Sequence, residues 1–208
     1  MNGPKAASEP KDAPMITELE FKSLQAEGYN RIPLVAEAFA DLETPLSLYL
    51  KLAHSKNQGK HSFLLESVVG GERFGRYSFI GLPARTVLQA CGFGADATTE
   101  VRTDGLLIET ITGNPLDAIE AFQSRFKVAL RPGLPRFCGG LAGYFGYDTV
   151  RYIEKKLEKS CPPDTLGCPD IMLLLCEELA VIDNLSGKLY LIVYADPSKP
   201  EAYSQTKK

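Results

Sequence analysis

The sequence predicts an α+β fold, mostly an antiparallel sheet or sandwich with helices packed outside. Hairpin signals recur along the chain, and Asp104-Gly105 between two β-rich runs is the strongest of them. Helical patterns are few and do not alternate regularly with the strands, which argues against repeated βαβ units. The chain is therefore expected to form hairpins around a core, with a few helices covering them.

The first quarter of the chain combines two predicted helices with one strand. Thr17 and Glu20 have the spacing of a capping box, so a short helix begins there. Residues 32–35 contain a proline, which is typical of an edge strand because proline lacks the amide donor. Thr44-Pro45 supplies an N-cap and a first-turn proline for an apolar helix over 46–53.

The middle of the chain is predicted to be rich in strands, namely 62–69, 77–82, 85–90, 99–103 and 106–111. Asn114-Pro115 then opens a helix whose apolar residues recur on one face. The segment Gly139 to Tyr147 is interpreted as a glycine-aromatic strand or turn, and 149–157 as a helix. Two long strands, 171–182 and 188–195, form the last predicted hairpin.

These elements are expected to form one compact unit over residues 16–197. Residues 1–15 are rich in Pro, Lys, Glu, Asp and Ala and are predicted to be a disordered tail. Residues 198–208 are polar towards the end and are interpreted as a linker or a truncated end.

Composition narrows the class of protein. The formal net charge is -3, which gives no electrostatic reason to expect nucleic acid or a membrane surface as partner. No apolar run is long enough for a membrane span and the start lacks a signal-peptide core, so a cytoplasmic, soluble protein is expected. The five cysteines contain no C-x-x-C pair, which argues against zinc and favours reduced, packed thiols.

Glu66 and Ser67 are the first candidate site residues, because they end an apolar run that begins at Phe63. Leucines on both faces of this run indicate burial on both sides, where a charge without a partner is costly. Arg73 and Arg76 follow the next turn and are available as partners. The residues leave two interpretations open: a Glu66–Arg76 pair that closes the hairpin, or a site for a small polar ligand.

The glycine-rich segment Gly139 to Asp148 is the second candidate. It contains neither G-x-G-x-x-G nor a lysine followed by Ser or Thr, so tight packing is favoured over phosphate binding. The adjacent carboxylates Glu177 and Glu178 point to opposite faces of a strand and do not form an acid–base pair. No catalytic residue is predicted.

Three motifs, over residues 63–67, 72–81 and 139–148, occur in an order and spacing that resembles the N-terminal region of anthranilate synthase component I. The run Ile32-Pro33-Leu34 and the helix start at Asn114-Pro115 are also similar to that family. The resemblance covers roughly residues 18–196.

The resemblance implies a set of functional expectations. Whole enzymes of this family convert chorismate and ammonia to anthranilate and pyruvate in tryptophan biosynthesis, using magnesium and ammonia from a glutaminase subunit. Tryptophan inhibits them by binding near the Leu-Leu-Glu-Ser strand, which assigns Glu66, Ser67 and Arg76 as tryptophan-binding residues by position. The chorismate and magnesium residues belong to the C-terminal half, which we expect this chain to lack. Neither a cofactor nor a metal ligand is therefore expected in it.

Two alternatives stay open at this point. The same region of aminodeoxychorismate synthase, which makes a folate precursor, is related in sequence. A non-catalytic interaction module that binds a partner subunit and no small molecule belongs to a different class. Tryptophan binding separates both of these from the leading interpretation.

Overall fold

The computed structural model describes residues 15–55, 60–67, 75–160 and 164–207. These residues form two five-stranded sheets in which every pair of neighbouring strands is antiparallel. Helices lie against the outer faces of the sheets, which confirms the predicted α+β class.

The first sheet has the spatial order β1 (Ile32–Phe39), β10 (Lys188–Ala195), β9 (Glu178–Asp183), β3 (Tyr77–Gly81) and β2 (Phe63–Leu65). The second has the order β6 (Leu106–Thr112), β5 (Thr98–Thr103), β4 (Thr86–Cys91), β8 (Ile171–Cys176) and β7 (Gly140–Phe145). β2 and β7 are therefore edge strands, one in each sheet.

The α-helices are α1 (Glu18–Ala26), α2 (Pro45–Tyr49), α3 (Pro115–Gln123) and α4 (Ala202–Thr206). α2 continues into a π-helical turn at Leu50–His54, and 3-10 turns cover Gly94–Asp96, Tyr147–Tyr152 and Lys155–Ser160. Within the described ranges no helix is long and apolar enough to cross a membrane.

Four buried apolar clusters hold the described sheets and helices together: one joins α1 to β1, and the other three form layers on the sheets. Between the sheets, Val181 and Ile192 pack with Val87 and Leu174. The outer face of the first sheet is covered by α2 and the π turn, and that of the second sheet by α3. Central strands are thus buried on both faces, which explains why their sequences read as continuous apolar runs.

The predicted strand over 171–182 is wrong in one respect, because it is two strands in different sheets. β8 ends at Cys176 and β9 begins at Glu178, so the chain passes from the second sheet to the first at Glu177. Glu177 accepts a hydrogen bond from Arg31 Nε at 2.8 Å, which anchors the corner. The period of apolar residues carries no mark of this corner, since both strands are buried.

Three other predictions meet a different structure. The predicted helix over 149–157 is a pair of 3-10 turns, and within the described residues the predicted strand over 62–69 is ordered as a strand only at Phe63–Leu65. Residues 198–208, interpreted as a linker or a truncated end, contain α4 (Ala202–Thr206), whose Tyr203 ring packs against Phe21 at 5.6 Å. The tail at 1–14 and the segments 68–74 and 161–163 lie outside the described residues.

Candidate ligand-binding site

An apolar cleft of about 350 Å³ lies between the two edge strands. Phe63 and Leu65 of β2 line one wall, and Gly143 and Tyr144 of β7 line the other, with Met172 and Leu174 of β8 also among the lining residues. Leu65 is 56% exposed, so the cleft opens to solvent at the end of β2. The Tyr144 hydroxyl donates to the Pro169 carbonyl at 3.0 Å, which fixes that ring at the wall.

Glu66 and Ser67 follow Leu65 directly and extend from the strand end beside this cleft. Glu66 is exposed and Ser67 is half-buried. The Ser67 amide donates to the Ser78 hydroxyl at 3.3 Å, and that hydroxyl also accepts from Asn184 Nδ2 at 3.1 Å. Because Ser78 is fully buried in β3, this chain of hydrogen bonds fixes the backbone from which Ser67 projects.

Arg76 forms a bidentate ion pair with Asp183 at the end of β9. Nε lies 3.1 Å from both carboxylate oxygens, and Nη2 lies 2.7 Å from Oδ2. Asp183 is 1% exposed and also accepts from the Leu185 amide at 3.1 Å. Burial acts to raise the pKa of Asp183, but the hydrogen bonds from Arg76, Leu185 and Ser186 outweigh it and hold the pKa below its usual value.

These contacts decide one alternative that the residues left open. Among the described residues Arg76 is paired with Asp183, not with Glu66, so the Glu66–Arg76 pair that would close the hairpin does not form. Sequence reasoning missed Asp183 and Asn184, whose only local signal was a hairpin turn. Ser78 was also missed, because a serine inside an apolar strand has no special pattern.

The glycine-aromatic segment has a packing role at Gly143. A Cβ atom at this position would overlap the carbonyl oxygen of Met172 in β8, so the two backbones approach more closely than any side chain allows. Gly139, at the other end of the segment, has the ring of Tyr194 in the corresponding place. The contacts at both glycines confirm the tight packing that was predicted for this segment.

The described residues offer little for nucleophilic or metal chemistry. No three His, Cys, Asp or Glu side chains among them lie close enough together to hold a metal ion. Cys138 and Cys176 are buried, while Cys91 and Cys168 are exposed. Burial raises the pKa of the Cys176 thiol to about 12, which keeps it protonated at neutral pH.

Comparison with known proteins supplies the family. The chain is 56% identical over 196 residues to anthranilate synthase component 1 of Neisseria meningitidis, an alignment that covers 93% of the chain and 38% of the relative. A second relative of the same name, from Pseudomonas putida, is 52% identical over 187 residues. The chain belongs to the anthranilate synthase component I family. It corresponds to the N-terminal region of these enzymes.

Further matches differ in closeness and coverage. Anthranilate synthase component 1 of Acinetobacter calcoaceticus is 41% identical over 92% of the chain. The crystal structure of component I from Streptococcus pneumoniae TIGR4 is 24% identical, with a TM-score of 0.47, and the match covers 82% of the chain and 34% of that structure. No protein-family model matches the chain. The chain spans about 38% of the length of the curated component I relatives it matches.

Proposed function

We propose that this chain is the tryptophan-sensing region of an anthranilate synthase component I. The whole enzyme, in this proposal, makes anthranilate and pyruvate from chorismate and ammonia in tryptophan biosynthesis. Ammonia comes from a glutaminase partner subunit, and magnesium and chorismate are bound by the remaining, C-terminal part of the enzyme. This chain supplies the feedback site and no catalytic residue.

The observation that supports this proposal is that Glu66 and Ser67 directly follow Leu65, a residue that lines an apolar cleft. Tryptophan carries one ammonium, one carboxylate and a large apolar ring, so its site needs polar groups beside an apolar slot. The cleft volume of about 350 Å³ lies within the usual range for small-ligand pockets. Leu65 forms its wall and the two polar residues follow at once, which places both kinds of group along one strand end.

The three proposed ligand residues have unequal support. Glu66 is exposed and directly follows the lining residue Leu65, and its carboxylate suits the ammonium group. Ser67 has a hydroxyl that both donates and accepts, on a backbone held by Ser78. Arg76 is directed at Asp183 with Nε and Nη2, so it binds the tryptophan carboxylate only with its remaining nitrogen or after leaving that pair.

Exposed apolar side chains continue from the cleft past the end of β7, through the 3-10 turn at Tyr147–Tyr152. The large ones are Tyr144, Phe145, Tyr147, Val150 and Ile153, which are between 37% and 94% exposed. Adjoining apolar residues in such numbers are unusual on a free surface and typical of an interface. We infer that the chorismate-binding part of the enzyme packs here, next to the site that senses tryptophan.

Substitution of Ser67 in the full-length enzyme tests the proposal. Loss of a hydrogen bond to a charged ligand costs about 1.5 to 3 kcal/mol, so Ser67→Ala is expected to raise the tryptophan concentration for half-inhibition about tenfold or more. Activity without tryptophan is expected to stay unchanged, because Ser67 is not proposed to contact chorismate. Ser204→Ala, an exposed serine on α4, is the matched control and leaves inhibition in place.

Two results separate this proposal from its rivals. Calorimetry of the 208-residue chain with tryptophan detects binding without any turnover. A folded chain that gives no heat with tryptophan, together with an unshifted inhibition curve for Ser67→Ala, means that the sensing role is wrong. A lowered melting temperature with normal inhibition would instead make Ser67 a packing residue.

A further inference from the structure

A second cleft, of about 280 Å³, lies at the opposite end of β7 from the proposed tryptophan site. Its floor includes Gly139 and Gly140, where β7 begins, and Cys176, where β8 ends. No residue lines both clefts, since the tryptophan cleft uses β7 only from Ala142 onwards. We call it the Arg136 cleft, after the charged residue at its rim.

The walls of the Arg136 cleft are mainly apolar. Phe126 and Val128 contribute one side, and Leu141 and Leu175 contribute another, with Leu130 69% exposed at the rim. An apolar slot of this depth holds a hydrophobic body that excludes water from these side chains. The volume lies just below the usual range for drug-sized ligand pockets, which suits a smaller ligand.

Two of the three charged residues that line the cleft, Arg31 and Glu177, form an ion pair with each other. Arg31 donates from Nε to Glu177 Oε1 at 2.8 Å and from Nη1 to the Asn30 carbonyl at 2.7 Å. Its guanidinium also stacks 4.9 Å from the Phe126 ring centre, and Asp196 lies 3.5 Å behind it. Arg31 and Glu177 are therefore committed to the corner between the sheets and are not available to a ligand.

Arg136 is different, because it makes no hydrogen bond or ion pair within the described part of the chain. It is exposed and lies on the rim of the same apolar slot. A guanidinium presents parallel N–H donors that match a carboxylate in a bidentate pair. One unpaired guanidinium above apolar walls thus selects a ligand with one carboxylate and a compact hydrophobic body.

We propose that the Arg136 cleft binds a small carboxylate with an aromatic or alicyclic ring. The carboxylate pairs with Arg136 at the rim, and the ring lies between Val128, Leu141 and Leu175. This site is separate from the tryptophan site in position and in ligand charge. It needs a monoanion with no ammonium, because the lining carboxylate of Glu177 is already taken by Arg31.

The test uses sodium benzoate as the probe and the backbone amide spectrum of the 208-residue chain as the readout. Benzoate is expected to shift the amides of Gly139 to Leu141 and to leave those of Ala142 to Tyr144 in place. Methyl benzoate keeps the ring and loses the charge, and it is expected to bind about tenfold more weakly or worse.

Three variants locate the binding. Arg136→Gln is expected to weaken benzoate about tenfold or more, whereas Arg125→Gln, a nearby arginine outside this cleft, leaves it unchanged. Val128→Phe fills the slot and is expected to abolish binding without removing a charge. Ser67→Ala leaves benzoate binding intact, so failure here is distinguishable from failure of the tryptophan proposal.

The proposal is overturned by any of three results: shifts that fall outside the cleft, equal losses in Arg136→Gln and Arg125→Gln, or equal affinity for benzoate and its ester. The first places the anion elsewhere, the second shows a general charge effect, and the third shows an apolar slot without carboxylate recognition.

Discussion

The two edge strands that face each other across the tryptophan cleft are held in different ways. The β2 edge is held by polar side chains. The Ser78 hydroxyl links the Ser67 backbone to Asn184 by hydrogen bonds, and Arg76 pairs with the buried Asp183. The β7 edge is held by close packing of the backbone, because Gly143 lies directly against the Met172 carbonyl of β8.

This difference matters for function, because side chains that bind a ligand must be held in position by the residues packed around them. Side-chain networks of the β2 kind fix the direction of a hydroxyl and are lost when one member is changed. Close backbone packing of the β7 kind tolerates no side chain at all but offers no polar group to a ligand. We therefore expect ligand effects to follow changes at β2 only, whereas stability is expected to fall on changes at either edge.

The largest expected effect is at Gly143. In Gly143→Ala the new methyl group meets backbone atoms of Met172 and Leu173, which cannot rotate away. Overpacking costs typically about 1 to 3 kcal/mol, and a backbone clash lies at or above the top of that range, so a loss of more than about 3 kcal/mol is expected in chemical unfolding.

Gly167 is the matched control for this change. It has a φ of +65°, but a Cβ there meets nothing within 4 Å, so Gly167→Ala reports only the cost of the left-handed backbone. That cost is about 1 to 2 kcal/mol. Gly143 itself is not at positive φ, so a loss below about 1 kcal/mol in Gly143→Ala would show that the backbone contact contributes nothing.

Local signals in the sequence predicted the parts of the fold that depend on neighbours in the chain. The capping box at Thr17 and Glu20 is present with both of its hydrogen bonds, and Asn114 caps α3 through the Leu116 amide. The Asp104-Gly105 turn joins β5 and β6 as expected, with both residues at positive φ. Each of these depends on residues within a few positions of one another.

Contacts between residues far apart in the chain could not be predicted from the sequence. Arg76 and Asp183 are 107 positions apart, and nothing near either residue distinguishes this pair from the Glu66–Arg76 alternative. The packing role of the glycine segment was predictable from composition, but its partner strand was not. The roles of Glu66, Ser67 and Arg76 towards tryptophan stay a prediction.

The next largest effect concerns the ion pair behind the β2 edge. Asp183→Ala leaves the Arg76 guanidinium facing a buried position without its carboxylate, which costs about 3 kcal/mol for a pair of this kind. Thermal unfolding checks this value. Glu109→Ala is the matched control, because it breaks a bidentate pair with Arg125 whose partners are 36% and 45% exposed. Solvent screens that ion pair. The melting temperature of the control variant is therefore expected to stay within about two degrees of that of the parent protein.

The same variant sharpens the assignment of Arg76. If Arg76 only supports the strand end, Asp183→Ala and Arg76→Lys lower stability and leave tryptophan affinity nearly unchanged once the protein is folded. If Arg76 binds the tryptophan carboxylate, Arg76→Lys weakens tryptophan at least tenfold in calorimetry at a temperature where the variant is fully folded.

The smallest expected effect comes from Asp170, which precedes β8 on the other side of the cleft. Burial raises its pKa, against a 3.0 Å hydrogen bond from the Gly92 amide. No arginine pairs with it among the described residues, and the Tyr152 hydroxyl lies nearby without a full hydrogen bond. At neutral pH its charge is therefore a cost, whereas the charge of Asp183 is a gain.

The two aspartates give opposite pH signatures. For Asp183 the folded pKa is lowered, so its contribution is complete above the unfolded value of about 3.9 and is lost as pH falls through the folded value. For Asp170 the folded pKa is raised, so stability falls as pH rises from about 3.9 through the folded value.

Asp183→Asn is thus expected to melt below the parent at pH 7, and Asp170→Asn slightly above it, because asparagine keeps the acceptor for Gly92. Both differences shrink as pH falls below about 4, where both carboxyls take up protons. Melting curves from pH 3 to 7 measure this, and a shift of the same sign in both variants at pH 7 would contradict the contrast between the two edges.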